Sequence, residues 1–315
     1  MPHPSDDRVD ASSWEVVRVE TRGAGAKYWI REPGGSSTRF ESDWLFKPVT
    51  QQANGIRQIG DWTESAGSAL ARALDIPAAE ARMAIRGDVE GVISRNVRAA
   101  GYDMMSGRLA MLHETGVETK DSARDKTASI GHSVNNVFQT LRSYEAPAGW
   151  DAWEDCSAVD VMVAYLVLDA LIGNGDRHEH NWSVLRASSS SSQLRDAIAP
   201  SYDLEASLGF QLSDDKRLAR LNDPRSMMDF ARKGFARRFE GDRTTSLVDL
   251  AVRSISLCTS IGQRRIQYLV ERIERLDFAA ILAGVGPVSE VARTFAFNVL
   301  EINGRRLVDA DWNIT

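Results

Sequence analysis

The stretch LIGNGDRHEHNWSVL, residues 171–185, sets Asn174, Asp176, Arg177, His178, His180 and Asn181 directly behind an apolar run. Residues 158–172 are apolar on nearly every side of a helical wheel, as befits a helix in the middle of a domain. The longest apolar run, residues 161–172, contains Asp169 and covers only about half of the roughly 20 residues that a membrane helix needs. Behind the polar loop, residues 181–185 and 194–200 read as the two arms of a short hairpin around the serine run 188–192. The five serines are read as a flexible turn. A polar loop emerging from a core helix into a hairpin places its charged groups in a cleft, not on an open surface.

Asp176 and Asn181 are five residues apart, and Asp203 follows beyond the hairpin in SYDLEASLG. Phosphoryl transfer from ATP requires a carboxylate to orient the attacking hydroxyl, with a carboxamide and a second carboxylate to hold magnesium on the phosphates. Asp176, Asn181 and Asp203 supply those groups in the order used by protein kinases.

Toward the N-terminus, residues 14–20, 27–31 and 44–47 alternate in the manner of strands, separated by turn-rich pieces. A helix is expected from about Asp61, capped by Asp61 or Thr63, with Ala66, Leu70, Ala73 and Leu74 on its buried face and an end before Pro77. Residues 87–97 return to a strand pattern with Val89, Val92 and Ile93 inward. Lys47, ending the strand WLFKP, is placed to meet the nucleotide phosphates, and Glu64 on the helix is placed to hold Lys47. Pro48 has no N–H and tends to end the strand there. RGAGAK is too short to be read as a phosphate loop on its own. Ile93, Ser94, Arg95 and Asn96, between the two halves, are the candidate hinge against adenine.

From about residue 100 the pattern is helical, at 133–144, 158–172 and again from 214 onward. The expected fold is α+β, a protein-kinase-like two-lobe arrangement: a disordered tail over 1–13, a small strand-rich nucleotide lobe over 14–98, and a helical lobe over 99–315 carrying the polar loop and hairpin. Lys plus Arg number 38 against 44 Asp plus Glu, and the net charge of −6 gives no reason to expect direct nucleic-acid binding. Cys156 and Cys258 lack metal or disulfide spacing and are expected as reduced thiols. The polar, acidic N-terminus lacks the features of a signal peptide, so a cytoplasmic protein with no membrane partner is expected.

LIGNGDRHEHNWSVL followed by IAPSYDLEASLG resembles the catalytic core of HipA-like serine/threonine kinases, whose loop reads approximately N-x-D-x-H-x-x-N. GAGAKYWI and WLFKP, with the Glu64 helix, resemble the small lobe of the shorter members. The resemblance covers about residues 14–210 and implies a kinase fold, ATP with Mg²⁺ as cofactors, and transfer to serine or threonine of a protein. It implies Asp176 as catalytic acid/base, Asn181 and Asp203 as metal ligands, Lys47 as the phosphate-binding lysine, and a structural or phosphate-contacting His178. A translation component is the implied acceptor and an antitoxin the implied partner, although no counterpart is expected to the additional N-terminal subdomain of many toxin kinases. Ser36, Ser37 and Thr38 are candidates for an autophosphorylated switch, against the simpler reading as turn residues. A catalytically inactive pseudokinase serving as a binding module, and a small-molecule kinase of similar fold, are the alternatives. His178 and His180, two apart, do not make a zinc site; His132 and His113 are read as structural or surface residues. Arg232, Lys233, Arg237 and Arg238 are read as a solvated helix face or a basic docking patch.

Overall fold

The computed structural model describes residues 8–20, 26–34, 40–52, 55–121, 128–188 and 194–312. Its N-terminal half is built on strands β1 (Val9–Asp10), β2 (Glu15–Glu20), β3 (Lys27–Arg31) and β4 (Trp44–Pro48). Helix α1 (Gly60–Ala73) and strands β5 (Ala81–Arg86) and β6 (Val89–Arg95) complete it. These six strands form one sheet in the order β1-β5-β6-β4-β3-β2. Val9 and Asp10 pair in parallel with Ala84 and Ile85, and Ala11 is fully buried, so residues 8–13 are not the disordered tail the sequence suggested. Ile30, Trp44, Phe46, Ala84 and Ile93 share one face with Ala11 and Trp14 and make a small separate core. Val89 is 47% exposed, against the inward position expected for it, because it opens β6 at the hairpin turn.

Helix α1 lies where the sequence put it, with Ala66, Leu70 and Ala71 fully buried. Its N-cap is Ile59, with no side-chain cap, in place of the expected Asp61 or Thr63; the Ile59 N–H is instead donated to the Phe210 carbonyl. The start of α1 is thus tied across the molecule. Thr63 repeats the tie, its hydroxyl donating to the Glu205 carbonyl at 2.6 Å.

The chain then enters β7 (Tyr102–Ser106), α2 (Gly107–Thr115), the two-residue strands β8 (Lys120–Asp121) and β9 (Ser129–Ile130), and α3 (Val134–Leu141). Next come the core helix α4 (Ala158–Ile172) and the hairpin β10 (Ser183–Ala187) and β11 (Ala197–Ile198). Residues 102–106, expected within the helical stretch, are a strand that pairs with β10 and turns the hairpin into a three-stranded sheet. The remainder is helical: α5 (Asp214–Leu221), α6 (Pro224–Arg232), α7 (Leu247–Ser254), α8 (Ser260–Glu274), α9 (Phe278–Ala283) and α10 (Glu290–Val308).

All residues of α4 are buried. At roughly 1.5–3 kcal/mol for each large apolar side chain removed from water, this helix is the main apolar anchor of the C-terminal half. Ser157 and Asp160 close a capping box at its start. The Asp160 carboxylate also accepts Thr259 N and Oγ1 at 2.8 and 2.9 Å, fastening α4 to the N-terminus of α8. At its far end Gly173 takes φ 68°, a left-handed cap that a residue with a Cβ adopts only under strain, and there the polar loop begins. Among the described residues no helix is long and apolar enough to cross a membrane.

Candidate active site

The polar loop is wrapped around a buried ion pair. Asp169, on the last turns of α4 and 1% exposed, accepts Arg177 Nε and Nη2, each at 2.8 Å, and Asn174 Nδ2 at 2.8 Å. Arg177 passes its Nη1 to the Asn181 carbonyl at 2.7 Å, and Asn174 Oδ1 receives the Asp176 N–H at 3.1 Å. Every charge in this group meets an opposite charge or a fixed dipole, the condition under which a buried pair is tolerated. The loop conformation follows from it: with Asn174 and Arg177 turned inward, the Asp176 carboxylate is left one-third exposed at the surface of the loop. Asn181 Nδ2 donates to the Asp176 carbonyl at 2.9 Å, which leaves the Asn181 amide oxygen as a free-facing acceptor.

His178 donates its backbone N–H to the Asp176 carbonyl, and its Nδ1 lies 3.1 Å from the His180 N–H. Acceptance at Nδ1 fixes the neutral tautomer with the proton on Nε2, which stands 3.9 Å from Asp176 Oδ2. Burial lowers the His178 pKa, with Asp176 pulling the other way. The opposite oxygen of Asp176 is taken. Arg238 Nε reaches Asp176 Oδ1 at 2.6 Å and Arg238 Nη2 reaches it at 2.5 Å. Arg237 and Arg238 follow α6 rather than lying on it, so neither belongs to the solvated helix face the sequence suggested. His132 is buried behind them. Its Nδ1 lies 2.9 Å from the Arg238 carbonyl, its Nε2 accepts Trp182 Nε1 at 3.0 Å, and its ring stacks on Phe239 at 4.8 Å. Burial pushes the His132 pKa down to about 4.

Asp203 stands at φ 61°, a left-handed backbone that Asp adopts more readily than most side chains but that still costs of order 1–3 kcal/mol. The turn is pinned by its neighbour: the Tyr202 hydroxyl donates to the His180 carbonyl at 2.9 Å and pairs with Ser183 Oγ at 2.6 Å, joining the Asp203 turn to the polar loop. Lys47 Nζ comes from β4 to Asp203 Oδ1 at 2.6 Å, to Glu64 Oε2 at 3.5 Å and to Glu205 Oε2 at 3.5 Å. Gly67 of α1 permits this approach, because a Cβ there would fall 2.9 Å from the Leu204 Cβ. Burial raises the Glu64 pKa to about 7 against the pull of Lys47. Burial opposes the charged forms of Lys47 and Asp203 as well, but their mutual attraction wins: the lysine pKa lies well above its ordinary value and the Asp203 pKa below it.

Of the residues singled out in the sequence, Lys47, Glu64 and Asp203 therefore meet in one cluster, and Asp176, His178 and Asn181 share one loop joined to it through Tyr202. Glu205 was not singled out. Carboxylate oxygens of Glu64, Asp203 and Glu205 lie within 4.8 Å of one another, a set of hard oxygen donors suited to a divalent cation such as Mg²⁺. Its two-residue spacing from Asp203 is the signal that would have found it. Ile93 and Ser94 sit within β6, flanked on both sides by β4 and β5, and the Arg95 N–H is donated to the Glu80 carbonyl. The Asn96 N–H goes to the Asp43 carbonyl. The backbone N–H groups of Arg95 and Asn96 are thus engaged within the protein. The RGAGAK turn, up to Gly25, and Ser36, Ser37 and Thr38 lie outside the described residues, as does most of the serine run.

The HipA-like C-terminal domain matches residues 19–274. The chain belongs to this family. Among solved structures, the Helicobacter pylori proinflammatory kinase CtkA is similar at a TM-score of 0.69 and 15% identity, over 96% of each chain. HipA of Shewanella oneidensis, solved with HipB and operator DNA, aligns at a TM-score of 0.46 and 13% identity, over 93% of this chain and 68% of that one. No curated protein matches the sequence. The mixed architecture, a β-rich N-terminal sheet followed by a helical part, is thus the fold of a HipA-like kinase.

Proposed function

We propose that the protein is an ATP- and Mg²⁺-dependent kinase that transfers the γ-phosphate to a serine or threonine hydroxyl of a protein. The observation that carries this reading is the meeting of Lys47 with Asp203, Glu64 and Glu205 beside a loop that presents Asp176 and Asn181. One cation among three carboxylates leaves negative charge in excess, and the set is completed by adding a metal ion. Asp203, Asn181 and Glu205 would hold Mg²⁺, which would supply charge neutralisation on the phosphates.

The protein's own groups divide the remaining work. Lys47, oriented by Glu64, would bind the α- and β-phosphates. Asp176 Oδ2 is the oxygen that accepts the hydroxyl proton, since Oδ1 is engaged by Arg238, and the His178 Nε2–H faces the same oxygen. Adenine binds beside β6, against side chains of residues 93–96 and the backbone of the turn that follows. Intact Lys47, Asp176, Asn181 and Asp203 favour this reading over a pseudokinase. By family membership, a translation component is the acceptor class to examine first and an antitoxin the partner class. Ser36, Ser37 and Thr38 remain the candidates for autophosphorylation.

Calorimetric titration with ATP, with and without Mg²⁺, tests the reading on the unaltered chain and on Asp203→Ala. Magnesium-dependent binding that Asp203→Ala abolishes is expected. Binding indifferent to both metal and substitution would remove the nucleotide role from this cluster.

A further inference from the structure

A cavity of about 360 Å³ opens beside Asp176, and the cluster at Lys47 has no part in it. Its inner wall is apolar, formed by Ile172, Leu208, Phe230 and Val299. Its other wall carries Lys233, Arg237 and Arg238. Leu208 holds φ 50°, a conformation that a bulky residue keeps only where its surroundings impose it, and its N–H is donated to the Ile172 carbonyl at the end of α4. The wall is therefore a continuation of the segment that carries Asp203 and Glu205, fastened to the root of the polar loop.

The charges on this wall do not cancel. Arg238 balances Asp176 through the contacts described above, which leaves Lys233 and Arg237 in surplus. Lys233 is exposed at the rim, and Arg237 is half-buried in the lining. In a chain of net charge −6, surplus cations gathered at one cavity select for anionic ligands there against the field of the whole molecule.

We propose that this cavity seats the acceptor segment, and that the segment is an acidic peptide: a serine or threonine flanked by Asp or Glu, with an apolar side chain beside it. The proposal rests on the kinase reading given above and names its substrate class. The flanking carboxylates meet Lys233 and Arg237, the apolar neighbour enters between Phe230 and Leu208, and the hydroxyl is brought to Asp176 Oδ2. Charge at the cavity thereby selects the protein to be modified, and Asp176 orients whichever hydroxyl is seated.

The test uses two fluorescein-labelled peptides with the same Leu-Ser-Leu centre, one flanked by Glu and the other by Lys, read by anisotropy on the full chain. At about 0.1 M salt, where surface charges more than roughly 10 Å apart are largely screened, the acidic peptide is expected to bind at least roughly ten-fold more tightly, the worth of about one desolvated charge pair. The double variant Lys233→Glu with Arg237→Glu is expected to invert the preference, and that inversion also shows the variant to be folded. Equal affinity for the two peptides, a preference that survives the charge reversal, or tighter binding of a homopolymer RNA would each overturn the proposal. Phosphate transfer is read separately. An acidic peptide that binds as described but gains no phosphate from ATP and Mg²⁺ overturns the kinase reading and leaves the anion-selective cavity standing; transfer to both peptides alike overturns the cavity assignment alone.

Discussion

Two groups of charge, one around Asp169 and one around Lys47, are built to opposite ends. Around Asp169, one acid meets one arginine bidentately, a carboxamide fills the remaining acceptor sites, and all are closed to solvent. Around Lys47, one ammonium faces three carboxylates, of which Glu64 is buried and Asp203 and Glu205 are partly exposed, on a backbone strained at Asp203. The first group is complete as it stands and fixes shape. The second has an unmet demand for positive charge, and it is that imbalance, more than burial, on which the proposed binding role rests.

The comparison breaks most visibly at Arg177. Arg177→Met leaves Asp169 charged in the core without its cation, and urea denaturation is expected to show a loss of about 3–5 kcal/mol. A loss below about 1 kcal/mol would place the Asp169 group with ordinary surface pairs. His132 extends the closed group, because it joins Trp182 to Arg238. Its pKa of about 4 in the folded chain lies below the ordinary 6.5, so the unfolded chain binds the extra proton first as pH falls. Stability contributed by neutral His132 is full above about pH 6.5 and is lost toward pH 4, at about 1.4 kcal/mol per unit and on the order of 3 kcal/mol in all. His132→Gln is expected to flatten that part of the stability curve.

The open group is expected to respond to ligand instead. ATP with Mg²⁺ at a hundred-fold excess over its Kd stabilises by about 2.7 kcal/mol, read as a rise in Tm. Asp203→Asn is expected to remove that rise while shifting the unliganded Tm little, since Glu64 and Glu205 still pair with Lys47. Within the open group, α1 meets the Asp203 turn at the contact of Gly67 with Leu204. Gly67→Ala forces α1 away from the Asp203 turn and is expected to cost about 1–3 kcal/mol by overpacking, with a weakened ATP affinity that a purely local effect on α1 would not produce.

Much of this was legible in the chain. Helix α4 was bounded correctly because an apolar run with a serine before it and a glycine after it leaves little choice. Strands β5 and β7 were missed: ARMAIR and YDMMS carry arginines, an aspartate and methionines instead of β-branched runs, and only their neighbours in the sheets make them strands. Val9 and Asp10 are too short a strand for any periodicity to show. In the site, Asp176, Asn181 and Asp203 were readable from local spacing. Arg238 was not, because 62 residues separate it from Asp176 and no pattern links the two. Asp169 did leave a trace, as the one charge in the second half of an otherwise apolar helix, and such a residue asks for a buried partner.

The most direct test of the central claim is incubation of the purified chain with γ-labelled ATP, Mg²⁺ and a serine-containing acceptor peptide, beside Asp176→Asn. Label on peptide or protein, lowered about 10²–10⁴-fold in Asp176→Asn while ATP affinity holds, is the expected result. Transfer that persists undiminished in Asp176→Asn, or the absence of both transfer and magnesium-dependent ATP binding from the unaltered chain, would contradict it.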